Sequence, residues 1–391
     1  MPDLGIIIVV AAVLAAVALL LLWALRGKRP TNVSDLYLEA LEAWAAGDLE
    51  LAEENLRKSV AADPRGVDSF LKLGDLLRLR GQPDKASALH RGLIARPDLP
   101  RNRRIQAGLS LAEDLLAMSR YEEAGQVLDT LVRHAGASAR YWTARFAQWT
   151  GVGDDQEAAR TLKFAGNHLP GNEGEKFRDA YGYYQLDRAF AAALKQEHAA
   201  AIALCKKIPA DSAAADHDPL VRAVVRIGKG DTDGAMNIAA SSLAGQPEAL
   251  LAFQAVLRPA LLEQGHFTRS IPLLERIVQQ PEVPVPLIME LALLYEKTGR
   301  LEQAVDLLVS QKGRRDLTCG SAAALLTILI RQRGDADLQK LWGAFHHPQT
   351  GAGWCCPGCG ARRERFGWFC PDCLNCGPFL RDAGDRQGEP W

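Results

Sequence analysis

A set of small residues returns along this chain at a fixed interval, and that interval decides what the chain can fold into. Gly47, Ala52 and Pro64 recur as Gly81, Ala86 and Pro97, a period of about 34 residues. Gly230, Ala235 and Pro247 reproduce the internal spacing of the first set, and Leu291-Ala292, Tyr295, Gly299 and Ala304 repeat it with an aromatic residue in place. A period of this length is too short for a domain. It suits helical pairs, each of which buries its apolar face only against the next. Each recurring residue then has a mechanical task. Gly47, Gly81, Gly230, Gly265 and Gly299 end first helices by taking positive φ. Gly74 and Ala292 let the two helices of a pair approach. Ala52, Ala86, Ala235 and Ala304 seat the second helix on the first, and Pro64, Pro97 and Pro247 close the units. The chain is rich in Ala and Leu with only 7% aromatic residues, which also favours helix.

This pattern is the tetratricopeptide signature. It is clear near 37–64, 70–97, 218–247 and 287–309, and residues 101–134 and 251–280 fit with altered spacing. Residues 139–209 are degenerate: Trp142, Phe146 and Trp149 read as helical core, and Phe177 to Pro209 as one more pair. Ser321 to Phe345 reads as a last pair around Gly334. The expected fold is all-α, a right-handed tetratricopeptide superhelix of about eight or nine pairs over 34–345. Its groove, where such arrays hold peptides or proteins, should be lined by Tyr37, Leu41, Trp44, Leu71, Asp75, Arg78, Met289, Leu293 and Glu296. The basic cluster Arg101, Arg103, Arg104 reads as a solvated loop before a helix, with a docking patch as its functional alternative.

Six of the eight cysteines fall within 355–376. Cys356-Pro-Gly-Cys359-Gly360 and Cys370-Pro-Asp-Cys373 are two Cys-x-x-Cys knuckles, which together make a four-thiolate metal site. So short a segment has too few apolar residues for a core, so the ion must help to fold it. The expected ligands are Cys356, Cys359, Cys370 and Cys373 in a rubredoxin-like knuckle domain over 354–380, followed by a tail at 381–391. Cys355 and Cys376 are spare, Cys205 and Cys319 read as small buried apolar residues, and His346 and His347 as a linker pair. Four thiolates suit Zn2+ and Fe alike. Nothing in the chain suggests an electron donor or acceptor, so a structural zinc is the simpler expectation.

Leu4 to Leu25 is an apolar run without a charge. At helical rise it covers about 33 Å, enough for a hydrocarbon core. Residues 1–3 precede it, and Arg26, Lys28 and Arg29 follow in a basic linker over 26–33. The expectation is a single transmembrane helix at 4–25 that leaves residues 1–3 on the far side of the membrane and the bulk of the chain in the cytoplasm. The formal net charge of −1 provides no field for nucleic acid. No nucleophile elbow, phosphate loop or zinc-protease helix is present, so the expectation is no enzyme.

Anchor, repeats and knuckle pair together resemble the lipopolysaccharide assembly protein B family of Gram-negative bacteria. The segments Leu73-Gly74-Asp75-Leu76-Leu77-Arg78-Leu79-Arg80-Gly81 and His90-Arg91-Gly92-Leu93-Ile94-Ala95-Arg96-Pro97 are similar to its second repeat. Trp368-Phe369-Cys370-Pro371-Asp372-Cys373 is similar to its aromatic-then-knuckle ending, although Cys376 stands where that family usually has Trp. The resemblance implies a single-pass protein of the inner membrane, with residues 1–3 in the periplasm, that acts as an adaptor and controls lipopolysaccharide synthesis by bringing the deacetylase that commits lipid A synthesis to a membrane AAA+ protease. It implies those two partners, and other lipopolysaccharide assembly proteins as further ones. A general envelope-assembly scaffold and a rubredoxin-like electron carrier are the alternatives, and a homo-oligomer is compatible with either.

Overall fold

The computed structural model describes residues 33–136, 138–243, 245–279, 283–310 and 353–381. Sixteen α-helices and three two-residue strands lie among them, and the chain divides after Val152 into two units. The first unit holds α1 (Val33–Ala45), α2 (Leu49–Ala62), α3 (Val67–Leu79), α4 (Pro83–Ile94), α5 (Arg101–Ala117), α6 (Tyr121–Ala135) and α7 (Ala139–Val152).

One turn, used repeatedly, converts these helices into pairs. After α1, Gly47 takes φ +83°. That lets the Asp48 N–H donate back to the Ala43 carbonyl at 2.9 Å and the Gly47 N–H to Trp44 at 3.0 Å, so the last carbonyls of α1 are satisfied. Asp48 then caps α2 by accepting from the Leu51 N–H at 3.0 Å. Gly81 repeats the device at φ +73°, and Ser119 fills the same role at φ +58°. Between paired helices Ala52, Ala86 and Ala124 are fully buried. Ala40, Leu56, Leu73, Leu76 and Leu77 close around the first two of these, so the core lies inside and between pairs.

The second unit continues with α8 (Asp155–His168), α9 (Gly171–Leu194), α10 (His198–Cys205), a 3-10 turn at Ala213–His217, α11 (Asp218–Gly228), α12 (Thr232–Ser242), α13 (Pro247–Glu263), α14 (Ile271–Val278), α15 (Val285–Lys297) and α16 (Leu301–Ser310). The same turn recurs at Gln196, Gly230, Gly265 and Gly299, with φ between +62° and +80°. The expected pair at Phe177 to Pro209 is therefore real, formed by α9 and α10. Pro247 does not close a unit as expected. It is the first residue of α13, where its fixed φ suits the helix and its missing N–H costs no hydrogen bond. The unit ends in β1 (Trp354–Cys355), β2 (Arg362–Arg363) and β3 (Leu380–Arg381), an antiparallel sheet in the order β2-β1-β3.

Helix α9 departs from the repeat pattern. A helix in such an array leaves one stripe to solvent, yet every residue from Ala180 to Leu186 is buried. The knuckle segment covers the face that would otherwise be exposed.

The single-pass inner-membrane localisation expected from the sequence is overturned. No helix among the described residues is long and apolar enough to cross a membrane. The longest, α9, has 24 residues and so the reach at about 36 Å, but it carries Glu173, Glu175, Lys176, Arg178, Asp179, Asp187 and Arg188. The predicted span at 4–25, the linker residues 26–32, Cys319, the pair around Gly334, His346, His347 and the tail residues 382–391 lie outside the described residues.

Candidate functional site

The two knuckles bring their four sulfurs together. The Sγ atoms of Cys356, Cys359, Cys370 and Cys373 all lie within 4.8 Å of one another. Cys356 Sγ is 3.7 Å from Cys373 Sγ, and Cys359 Sγ is 3.6 Å from Cys370 Sγ. A tetrahedral ion with metal–sulfur bonds of about 2.3 Å needs sulfur–sulfur edges of about 3.8 Å, so the donor set fits a four-thiolate metal. Zinc and iron meet that requirement equally.

Backbone geometry makes the convergence. Gly360 at φ +74° turns the chain after the first knuckle, and its N–H donates to the Cys356 carbonyl at 2.9 Å. Leu374 takes the same left-handed conformation after the second knuckle, at φ +56°. The Gly358 N–H donates to Cys356 Sγ at 3.3 Å. Burial disfavours the Cys356 thiolate, but the N–H groups of Cys359 and Gly358 and the neighbouring thiols more than offset this, drawing the thiol down to about 7. Burial, with the neighbouring thiols, pushes Cys373 the other way, up to about 12. A bound cation favours the thiolate at all four positions.

The two spare cysteines stay out of the cluster. Cys355 belongs to β1, paired with Arg362 and Leu380. Cys376 directs its sulfur toward the Leu374 carbonyl, 3.7 Å away, and burial followed by Asp179 and Asp187 pushes its thiol up to about 12. Cys370→Ser should therefore reduce metal content from one ion per chain to near zero, whereas Cys376→Ser should leave it unchanged. Inductively coupled plasma mass spectrometry on purified full chain measures both. Retained stoichiometry in Cys370→Ser contradicts the ligand set.

The module is held to α9 by a carboxylate that sequence reasoning did not single out. The Trp368 N–H donates to Asp187 Oδ1 at 2.7 Å, and the Phe369 N–H to Oδ2 at 3.1 Å. Burial pushes the Asp187 carboxyl up to about 7, against the opposing pull of these two donors and of Arg363. Aromatic rings pack around the pair of hydrogen bonds. Phe190 meets Phe366 and Trp368 edge-on, with ring centroids 6.0 and 5.5 Å apart, Tyr184 meets Phe369 at 5.5 Å, and Trp368 is fully buried. A signal was available in the sequence, since Asp187 interrupts the otherwise apolar register of Tyr183, Leu186 and Phe190 on a helix. A buried carboxylate needs donors, and here they come from residues just before the knuckle cysteine Cys370.

In the first unit the expected groove residues separate into two groups. Leu71 is mostly buried against Leu93 and Ala107, and its remaining surface lines the cleft described next. Tyr37, Asp75 and Arg78 border or support a polar cleft of about 380 Å3, which Asp68, Lys72, Arg103, Ser110 and Arg140 also help to line. Its floor is charged and fully connected. Arg78 reaches Asp114 at 2.7 Å, Glu113 at 2.9 Å and Asp75 at 3.0 Å, and Arg140 reaches Glu113 at 2.6 Å. Burial would push the Arg78 guanidinium down, but Glu113, Asp114 and Asp75 hold it up. Asp114 also accepts from His90 Nδ1 at 2.5 Å, and both side chains are fully buried.

A tetratricopeptide repeat family model matches residues 37–100. Solved structures similar to this chain include a tetratricopeptide repeat protein from Parabacteroides merdae, at 12% identity and TM-score 0.31, over 76% of this chain and 98% of that one. The P58(IPK) TPR domain is similar at 18% identity and TM-score 0.25, over 85% and 98%. The APC/C hetero-tetramer Cut9-Hcn1 is similar at 12% identity and TM-score 0.33, over 80% and 78%. A comparison with curated proteins finds no match. The family match assigns tetratricopeptide repeats to residues 37–100, where the helical pairs α1–α2 and α3–α4 lie.

Proposed function

We propose that this chain is a non-enzymatic adaptor in the control of lipopolysaccharide synthesis, one that brings the deacetylase committing lipid A synthesis to a membrane AAA+ protease. The observation that carries the reading is a four-cysteine knuckle pair seated on a repeat helix, with the aromatic segment Trp368-Phe369 as the contact. The same segment is part of the resemblance to the lipopolysaccharide assembly protein B family, as are 73–81 and 90–97 in the repeats. Zinc at the four thiolates fits this role, because a d10 ion fixes the module without redox chemistry.

The chemistry asked of such a protein is placement. A scaffold that holds a substrate and a protease at once makes their encounter effectively intramolecular, so it speeds degradation without touching the scissile bond. The polar cleft of the first unit suits a hydrated, reversible protein contact. The test is a degradation assay with purified deacetylase and protease, with and without the full chain. Addition of the chain should shorten the half-life of the deacetylase, and an unchanged half-life rejects the proposal. If the chain instead captures other envelope-assembly proteins while the half-life stays fixed, the general scaffold replaces it. Iron-loaded, coloured protein that cycles between redox states would favour the electron carrier.

A further inference from the structure

In the first unit most arginines are matched by carboxylates. Arg57, Arg80, Arg91, Arg103, Arg120, Arg140 and Arg145 each have one within ion-pair distance. A group at one edge is not. Arg104 donates to the Arg96 carbonyl at 3.0 Å and Arg96 to the Arg65 carbonyl at 3.3 Å, while Arg101 lies against the His134 ring at 2.7 Å. No carboxylate of the described residues pairs with Arg65, Arg96, Arg101 or Arg104. Asp98, in the same turn, is exposed and pairs with none of them. Positive charge thus accumulates here although the chain as a whole is close to neutral.

This edge borders an apolar cleft of about 600 Å3. Ile94 of α4, Ile105 and Leu111 of α5, and Val127 and Leu131 of α6 form its floor, with Arg101, Arg104 and His134 at the rim. It opens on the face of α5 opposite the polar cleft. Arg103, Gln106 and Ser110 line the polar cleft, whereas Arg101, Arg104, Gly108 and Leu111 line this one. The polar cleft is internally neutralised, and this one is not.

We infer that the cleft between α4, α5 and α6 is a docking site for an acidic peptide segment, which seats an apolar side chain on the Ile105–Val127–Leu131 floor and a neighbouring carboxylate on Arg101 and Arg104. Guanidinium groups are matched to carboxylates in geometry as well as charge. An apolar floor with a charged rim is the anatomy of a peptide groove, where the floor supplies affinity and the rim orientation. The cleft is open along one side. A peptide tolerates this because its backbone remains hydrated, whereas an acyl chain would leave methylene groups exposed to water, which is unfavourable. The inference rests on the adaptor reading and adds to it a second surface, distinct in chemistry from the polar cleft.

The probe is a displayed library of short random peptides, panned on the full chain. Enriched sequences should combine Asp, Glu or a free C-terminal carboxylate with an adjacent Leu, Ile, Phe or Met. Their affinity should fall roughly tenfold or more in the Arg101→Glu/Arg104→Glu variant, and it should weaken with salt. Both positions are exposed and make no ion pair, so the fold is retained, which circular dichroism melting checks. Thr130→Trp, also exposed, fills the cleft without altering the rim charge, and it should weaken the same peptides. Enrichment of basic or uncharged peptides, no enrichment, or equal binding to the double variant overturns the inference. So does binding of phosphatidylglycerol vesicles that the double variant loses while no peptide class is enriched, which assigns the patch to a lipid surface. The degradation assay reads the adaptor function independently of each of these results.

Discussion

Asp187→Ala should release the knuckle module from α9 while leaving its four cysteines able to bind metal. The substitution removes the acceptor for two backbone N–H groups, of Trp368 and Phe369, in a site without water access. Each orphaned donor costs about 1–3 kcal/mol, so with two of them the docked state should lose about 2–6 kcal/mol. Amide exchange at Trp368 and Phe369 should accelerate by about thirtyfold or more. Asp187→Asn keeps one acceptor oxygen and should fall between wild type and the Ala variant. Unchanged exchange in Asp187→Ala would mean that the aromatic contacts alone hold the module.

The same carboxylate sets a pH dependence whose sign follows from its shift. Its value in the fold, about 7, lies above the ordinary carboxyl value of 3.8. Between these values the folded protein binds more protons than the unfolded chain, so stability falls as pH rises. The contribution is complete below about 4 and is lost as pH rises through about 7. Asp187→Asn cannot titrate at this position, so the stability difference between wild type and this variant should shrink across that window and be flat above it.

The repeats were legible because the left-handed turn between helices is nearly always made by glycine, and Gly47, Gly81, Gly230, Gly265 and Gly299 all occupy it. The repeat blurred in the sequence where other residues accept the same strain, Ser119 at φ +58° and Gln196 at φ +62°. The cysteine knuckles were legible because ligand spacing is local. What binds the module to the array was not, because Asp187 and Trp368 stand 181 residues apart and neither carries a motif. The unpaired arginines at the edge of α5 were visible as a cluster, but only the structure separates Arg103, which pairs with Asp68 at 2.8 Å, from Arg101 and Arg104, which pair with no carboxylate.

Asp114→Ala should be the most damaging single change in the first unit, although the side chain touches no surface. Asp114 is fully buried on α5 and holds Arg78 of α3 through one oxygen and His90 of α4 through the other. It therefore joins three helices of two successive pairs at one point. His90 has no other position to take. Its ring fills the space left by the absent side chain of Gly74, where an added Cβ would lie only 2.4 Å from Nε2. Arg78 can lean further on Asp75 and Glu113, but the imidazole loses the one carboxylate that it meets among the described residues, in a site closed to solvent. Breaking such a buried pair by removing one partner costs about 3–5 kcal/mol, a large part of the stability of a domain this size. Exchange of the α3, α4 and α5 amides should rise together, because the three helices share the lost contact. Asp114→Asn, which keeps the shape and one acceptor, should retain part of the protection. Exchange that rises in α5 alone would show that Asp114 stabilises its own helix and does not link the pairs.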